Sequence, residues 1–226
     1  MAYTYALTGA HWWALPFDLY RGQVLEEESD RVGFAASVPE PGGYSVIGRQ
    51  VALGPLRREL APLYEAWRGN FTTLRPLFEL GESDELEEPE GWYEEMTVSD
   101  GHVWFTIYEL AGGKPIGLVG LIDIDFEEKA AEFFLHVGEV ASQAADLGSE
   151  AGRLMRDYAF HALGLSSLFS MAYEYNLSEL RYCETAGFRE FTRQRQAHLV
   201  GGRLWDVIYL ECLAGGPAAT GPASSC

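Results

Sequence analysis

QAADLGSEAGRLMRDYAFHALGL, residues 143–165, is the segment that says most about the architecture of this chain. Beyond position 148 its apolar residues recur at helical spacing and form one stripe: Ala151, Leu154, Met155, Tyr158, Ala159 and Ala162. Gly164 is a typical helix terminator. The pattern predicts an amphipathic helix over about 148–163. The loop before it would present backbone N–H groups that suit a bound anion.

Strand-like runs surround this helix and predict an α+β layout. The expected order is a strand at Val51–Leu56, a helix over 57–68, a short helix near Pro89, strands at His102–Leu110, Ile116–Phe126 and Ala131–Gly138, the helix described above, a strand at Ser167–Tyr175, a short helix at Leu177–Ala186, and a hairpin of 191–199 with 203–213. In the third of these strands, Phe133, Leu135 and Val137 share one face, and Glu132, Phe134 and His136 share the other.

The two ends of the chain differ from its middle. Residues 1–48 hold several aromatic side chains and close on Pro and Gly, so we interpret them as an N-terminal extension. Their aromatic residues either form a lid over a site or simply pin the extension to the domain. Residues 49–213 form the predicted domain, and the Gly/Pro-rich residues 214–226 are predicted to be a disordered tail.

Composition excludes several functions. The chain has 226 residues, with 16 Lys and Arg against 34 Asp and Glu, so its formal net charge is −18. Such a balance argues against nucleic-acid binding, which depends on basic side chains at phosphates. Neither a secretory signal nor an apolar run long enough to span a membrane is found, so we expect a cytoplasmic protein with no membrane partner. Its 3 cysteines are too few for a disulfide scaffold, and no metal-ligand spacing occurs. Composition leaves the oligomeric state open.

The order of these motifs resembles the GNAT superfamily of N-acetyltransferases. Residues 143–151 are similar to the acyl-CoA signature Q/R-x-x-G-x-G/A of that family. The segment YAF-x-x-LGL, residues 158–165, is similar to the ribosomal-protein-alanine acetyltransferase branch, and so is KPIGLVGLIDID. Asn176 followed by Gly187-Phe188 matches a further family spacing. The resemblance covers about residues 49–212. It implies a mixed, mostly antiparallel sheet flanked by helices, and acetyl transfer from acetyl-CoA to a primary amine by direct attack.

The same resemblance implies a set of residues that bind acetyl-CoA. They are Val137 and Gly138, as backbone oxyanion donors, with Gln143, Asp146, Gly148, Ser149 and Asn176. Asp146 departs from the family pattern because it stands where the signature has its first glycine. Its carboxylate either occupies the anion site itself or points to solvent at little cost. We therefore keep a second hypothesis, a GNAT fold with lost or altered CoA binding that uses a carrier-protein acyl donor or different chemistry.

Glu132, His136 and Cys183 are the main candidates for proton transfer, and Asp123 and Asp125, which share a face of the neighbouring strand, are weaker candidate bases. Glu132 and His136 share a strand face and are candidate bases, although a water relay to an already neutral amine needs neither. Cys183 stands seven residues after Asn176, where many family members carry a tyrosine that protonates the leaving thiolate. A thiol, with a pKa near about 8.5, is suited to that role, but a buried small residue is the alternative interpretation. Tyr182 is the weaker candidate because helical geometry turns it away.

The acceptor is predicted from charge. Eight acidic residues lie within 82–95, where this family shapes its acceptor site. Such a loop would attract an ammonium group, although a merely solvated run of charges is the alternative. We expect a cationic small-molecule amine or a peptide N-terminus as the acceptor, and no metal.

Overall fold

The structure is a computed structural model that describes residues 33–34, 45–69, 93–94, 96–97, 101–139, 142–143 and 145–216. Within it the elements are β1 Gly33–Phe34, β2 Val46–Ile47, β3 Val51–Pro55, a 3₁₀ turn Arg58–Leu60, α1 Ala61–Gly69, β4 Val103–Glu109, β5 Lys114–Asp125, β6 Ala130–Val137, α2 Leu147–Asp157, β7 Ser167–Tyr173, α3 Leu177–Thr185, β8 Arg189–Val200 and β9 Arg203–Leu213. Most of the predicted extension, acidic loop and tail lies outside the described residues.

One sheet of nine strands joins all of these strands, in the order β1-β2-β3-β4-β5-β6-β7-β9-β8. Every pairing is antiparallel except that of β6 with β7, which is parallel. The predicted α+β class, with a mixed and mostly antiparallel sheet flanked by helices, is confirmed.

The strands β6 and β7 separate after a short contact. Their pairing covers only residues 130–132 of β6 and 167–169 of β7. Beyond Glu132, β6 continues to Val137 and is paired there only with β5. The sheet therefore opens between the second half of β6 and the second half of β7. We call this opening the interstrand cleft.

Apolar side chains fill both faces of the sheet. On one face, Leu135 and Val137 of β6 belong to the same buried cluster as Leu154 and Met155 of α2. On the other face, Phe134 packs in a smaller cluster with Trp67 of α1 and with other aromatic residues. The alternation predicted along β6 is therefore observed. It turns the odd-numbered residues of β6 towards α2 and α3, and the even-numbered residues towards α1.

The helix predicted over 148–163 is present, but its last turn is wider than an α-helix. Residues Tyr158–Ala162 form a π-helical turn, and the Leu163 N–H donates to the Tyr158 carbonyl five residues earlier at 3.2 Å. Gly164 then adopts a left-handed conformation, with φ of 69°. The periodicity of 3.6 residues predicts the helix but does not reveal the extra residue per turn.

β8 is longer than predicted and lies at the edge of the sheet. Its pairing with β9 shifts register twice, between Glu190 and Thr192 and between Gln194 and His198. Within the second shift, Gln196 has a φ of 51°, and its N–H donates to Asp206 Oδ1 at 2.9 Å. These irregularities are β-bulges, which a pattern of alternating residues does not predict.

Candidate active site

The interstrand cleft holds a cavity of about 80 Å³. Strand β6, the loop before α2 and the first turns of α3 form its walls. The lining residues are Leu135, His136, Val137, Gln143, Asn176, Ser178, Glu179 and Tyr182. Four of the ten residues predicted to form the site line this cavity: His136, Val137, Gln143 and Asn176.

Strand register directs the backbone of Val137 into the cleft. The Gly138 N–H donates to the Ile116 carbonyl at 2.9 Å, across a register in which Gly117 lies opposite Val137. Gly117 and Val137 are therefore a non-hydrogen-bonded pair, and the polar groups of Val137 point away from β5. The carbonyl of Val137 accepts from Gln143 Nε2 at 2.6 Å. Its N–H faces the cleft, where it suits a developing oxyanion.

Gly138 was predicted to donate its N–H to an oxyanion, but in the structure it has a packing role. Its N–H is engaged by Ile116, and a Cβ at this position would collide with the ring of Trp67. The N–H of Glu139 also donates to Ile116, at 3.3 Å. Gly138 therefore allows α1 to approach the end of β6, and its N–H is not available to an oxyanion.

The first turn of α2 lies against α3. A Cβ on Gly148 would be 2.6 Å from the Cε2 and Cζ atoms of Tyr182, so the ring of Tyr182 rests directly on this glycine. Ser149 is buried, and its hydroxyl donates to Asp146 Oδ1 at 2.7 Å. Gln143 contributes its side chain to the cleft, but its own N–H donates to the Glu139 carbonyl at 3.0 Å.

Asp146 adopts neither of the two arrangements weighed from the sequence. It has a left-handed backbone with φ of 58°, and its side chain does not cap the N–H groups of α2. One carboxylate oxygen accepts from the Ser149 hydroxyl, and the other from Arg181 Nη2 at 3.0 Å. Arg181 is exposed and Asp146 is half-buried at the surface, so the ion pair adds little stability. Arg181 nevertheless offsets the negative charge beside the loop.

Asn176 and Glu179 form a reciprocal cap at the start of α3. The Glu179 N–H donates to Asn176 Oδ1 at 3.3 Å, and Asn176 Nδ2 donates to Glu179 Oε2 at 2.6 Å. Burial raises the pKa of Glu179 to about 8, and the hydrogen bond from Asn176 opposes that rise. Sequence reasoning did not identify Glu179. The spacing Asn-x-x-Glu, typical of a capping box, was the available signal.

Cys183 and Tyr182 are both buried, but only Tyr182 borders the cleft. Cys183 is 1% exposed within the core cluster, with its Sγ 4.0 Å from Ser170 Oγ, and it does not line the cleft. Burial raises the pKa of its thiol well above the ordinary value. This position agrees with the alternative of a buried small residue rather than with a leaving-group acid. Tyr182 lines the cleft instead, and burial raises its pKa as well.

Glu132 and His136 share a strand face but not a location. His136 lines the cleft, and burial lowers its pKa to about 4, so its imidazole is neutral at pH 7. Glu132 lies where β6 still pairs with β7, roughly 13 Å along the strand from His136. Its pKa is raised to about 7, by burial and by the charge of Asp123. Of the two predicted bases, only His136 stands at the opening.

Two absences concern the described part of the chain. No cluster of His, Cys, Asp and Glu suited to hold a metal ion occurs there. Nor does any helix among those residues have the length and hydrophobicity needed to cross a membrane.

This fold and this cleft define a class of protein, in which a mixed sheet opens where two parallel strands, here β6 and β7, separate beside the N-terminus of a helix. The model of the acetyltransferase (GNAT) domain family matches residues 50–189, which is more than half of the chain. The chain belongs to this family.

Individual relatives agree with this assignment. A probable N-acetyltransferase, YjcK, from Bacillus subtilis (strain 168) is 29% identical over 114 residues. The match covers 50% of this chain and 62% of that protein, so this chain spans less than two thirds of that relative's length.

Two solved structures share the fold. The spermidine N-acetyltransferase from Vibrio cholerae in complex with CoA and spermine has a TM-score of 0.59 at 22% identity, covering 73% of this chain and 95% of that one. A dodecameric structure of the Vibrio cholerae enzyme has a TM-score of 0.57 at 23% identity, covering 73% and 94%.

Proposed function

We propose that this protein transfers an acetyl group from acetyl-CoA to a primary amine by direct attack. One observation carries the proposal: the interstrand cleft, into which the Val137 N–H points between the first turn of α2 and the cap of α3. An extended donor can lie along β6 in such an opening, as if it replaced the missing strand. Its phosphates then approach the loop before α2, as expected for an anion at a helix N-terminus.

The residues present fit the steps of this reaction. The amine nitrogen attacks the thioester carbon, and the carbonyl oxygen becomes negative while the Val137 N–H donates to it. The attacking nitrogen passes its proton to water, or to His136, which is neutral at pH 7 but is a weak base because burial lowers its pKa to about 4. Glu132 is too far along β6 to contact the cleft directly. It contributes only a negative charge, on the same face of β6 as His136.

The proposed acceptor is a cationic small-molecule amine. The net charge of −18 favours a positively charged partner, and the structural neighbours include an enzyme named for spermidine. A peptide N-terminus remains the competing acceptor, on the resemblance to the ribosomal-protein-alanine acetyltransferase branch.

One observation favours the second function, a GNAT fold with altered CoA binding. Asp146 holds a carboxylate beside the loop expected to meet the pyrophosphate, and its partner Arg181 would have to serve both anions. A donor with a single phosphate, such as a carrier-protein thioester, would meet less repulsion there.

Calorimetric titration with acetyl-CoA tests these alternatives, on the wild type beside Asp146→Gly and Asp146→Asn. Both variants tolerate the left-handed backbone, and both remove the charge. Binding by the wild type, followed by acetylation of spermidine or other small amines, supports the proposal. Binding only by the two variants favours the altered-donor function. No binding by any of the three contradicts acetyl-CoA as donor, and faster acetylation of peptides than of free amines contradicts the small-molecule acceptor.

A further inference from the structure

Glu179 is a carboxyl group enclosed at the wall of the cleft. It is 6% exposed, and it lines the cavity together with Asn176 and Tyr182. A buried ionised carboxylate without a cationic partner is costly, so such a group is held in its neutral form. Neutral Glu179 carries a proton that a hydrogen-bond acceptor in the cleft can receive.

The two oxygens of Glu179 have different surroundings. Oε2 accepts from Asn176 Nδ2 at 2.6 Å, which fixes the orientation of the carboxyl group. The hydrogen bonds between Asn176 and Glu179 use Oε2 and the backbone N–H of Glu179, and leave Oε1 out. Because the side chain borders the cavity, Oε1 is the oxygen able to present a proton to a bound molecule.

Transfer of an acetyl group from a thioester to an amine needs such a proton. The thiolate of coenzyme A leaves as the tetrahedral intermediate collapses, and an acid that protonates the sulfur speeds this step. Cys183 is in the core and cannot serve. We propose that Glu179 is the general acid that protonates the departing thiolate, an inference that rests on the proposed acetyl transfer.

The C–N bond forms between the amine nitrogen and the acetyl carbon, and the nitrogen proton passes to His136 or water. The C–S bond then breaks, its electron pair remains on sulfur, and the Glu179 proton transfers to that sulfur. Glu179 is left as a carboxylate that accepts from Asn176 Nδ2 and regains a proton from solvent after the products leave.

Several titratable groups face Glu179 from the elements packed around it. His136 of β6 lines the same cavity, and Tyr173 of β7 interacts with the charge of Glu179. Tyr182 and Cys183 are on the same helix as Glu179, and the Asp146–Arg181 ion pair lies beside Tyr182. At pH 7 the histidine, the two tyrosines and the cysteine are neutral, since burial lowers the pKa of His136 to about 4 and raises those of Tyr173, Tyr182 and Cys183. The limb of the pH profile assigned to Glu179 is therefore distinct from theirs.

The test is Glu179→Gln, an isosteric variant that keeps an oxygen for Asn176 but has no proton to give. We expect kcat to fall by about 10²-fold or more, while the KM and the calorimetric affinity for acetyl-CoA change little. The fall in kcat of the wild type above about pH 8 disappears in the variant. Glu184→Gln, an exposed position on the same helix, is the matched control and retains wild-type rates.

A second arm varies the leaving group. An acetyl thioester of an aromatic thiol, whose thiolate needs no acid to leave, is compared with acetyl-CoA. The deficit of Glu179→Gln should shrink to a few-fold with this donor. An equal deficit with both donors makes Glu179 a structural residue and overturns the proposal, as does an unchanged kcat with acetyl-CoA. If Tyr182→Phe, and not Glu179→Gln, lowers kcat with acetyl-CoA and removes the fall in kcat at high pH, then Tyr182 is the acid and the proposal is wrong.

A third variant tests the proposal independently, in case Glu179→Gln does not fold. Asn176→Ser keeps a capping side chain for α3 but removes the Nδ2 donor that stabilises the ionised Glu179. The falling limb of kcat should then move to higher pH, and an unmoved limb contradicts the proposal. If the wild type acetylates no amine, the proposed function fails, whereas the inference on Glu179 fails only in an active enzyme.

Discussion

Glu179 also links the cleft to the stability of the fold. Its pKa is about 8 in the folded protein against 4.5 for an ordinary glutamate. Below the lower value both states are protonated. As the pH rises between the two values, only the unfolded chain releases the proton, so the folded state becomes less favoured. Above the higher value the loss is complete.

We therefore predict that the free energy of unfolding of the wild type falls relative to that of Glu179→Gln between about pH 5 and pH 8. The difference should change by at most about 1.4 kcal/mol per pH unit. Urea denaturation of both proteins across this range measures it, and the contribution of Glu132 cancels because both proteins contain it. Parallel pH dependences would show that Glu179 is not held neutral by burial.

Gly148 gives a prediction based on contact distance. In Gly148→Ala the new methyl group would be 2.6 Å from two ring atoms of Tyr182, so the ring must move. We expect a loss of about 1–3 kcal/mol in stability and weaker binding of acetyl-CoA. Gly152→Ala is the control one turn along α2, where the nearest atoms are 3.4 Å away. There the helix propensity of alanine should stabilise the protein by up to about 1 kcal/mol. Thermal unfolding compares the two, and equal melting temperatures would contradict the close packing of Tyr182.

The sequence could not predict which side chains of α3 face the cleft. Counting seven positions from Asn176 reaches Cys183, but the face of α3 that borders the cleft carries Glu179 and Tyr182, which are three residues apart. The rotation of a short helix about its own axis depends on the element it packs against, which is α2 for α3. The spacing of residues within α3 does not reveal that rotation. For the same reason the sequence did not single out the carboxyl of Glu179.

At the scale of elements, α2 is tied to the β2–β3 turn by one side chain. The carboxylate of Glu150 accepts from the backbone N–H of Arg49 and from that of Gln50, the latter at 3.2 and 3.3 Å. A Cβ on Gly48 would collide with the same carboxylate, so the turn and the helix approach closely. This tie holds the start of α2 in place beside the cleft.

Glu150→Gln should weaken this connection. The amide keeps one acceptor oxygen, but its NH2 group faces backbone N–H groups that also donate. We expect this mismatch to lower the free energy of unfolding by about 1–3 kcal/mol. Glu184→Gln, also on a helix but exposed, should change stability by less than about 0.5 kcal/mol. Chemical denaturation of both variants measures the effect. A cost no larger than that of the control would mean that the tie does not stabilise the fold.

Elements with strong local patterns were predicted well, and those that depend on distant partners were not. The amphipathic stripe of α2 and the alternation of β6 follow from residues close in sequence, and both are observed. The orientation of the Val137 N–H depends instead on its register with Gly117 of β5, which also assigns the Gly138 N–H to Ile116. A register is a property of two strands, so the pattern of one strand could not exclude Gly138 as a donor.

At the scale of the whole molecule, the net charge of −18 predicts a salt effect on binding of the cationic acceptor proposed above, for which spermidine serves as a probe. Long-range attraction to a polyamine is screened once the Debye length falls to about 8 Å near 0.15 M salt. The KM for spermidine should therefore rise severalfold between low salt and about 0.3 M salt, and the KM for a singly charged amine much less. Steady-state kinetics at both salt concentrations compare the two acceptors. An equal rise for both would mean that the overall charge does not select the acceptor.

The bulged strand β8 has a consequence for how these molecules meet one another. An outermost strand offers its unpaired N–H and C=O groups as a template on which a neighbouring chain can add a further strand, a route to aggregation. The two register shifts and the left-handed Gln196 interrupt that template, so its backbone groups fall out of step with those of a straight incoming strand. Arg193, paired with Glu190 and Asp206, adds charge along the same strand. The bulges thus act as a barrier against edge-to-edge growth when the protein is concentrated.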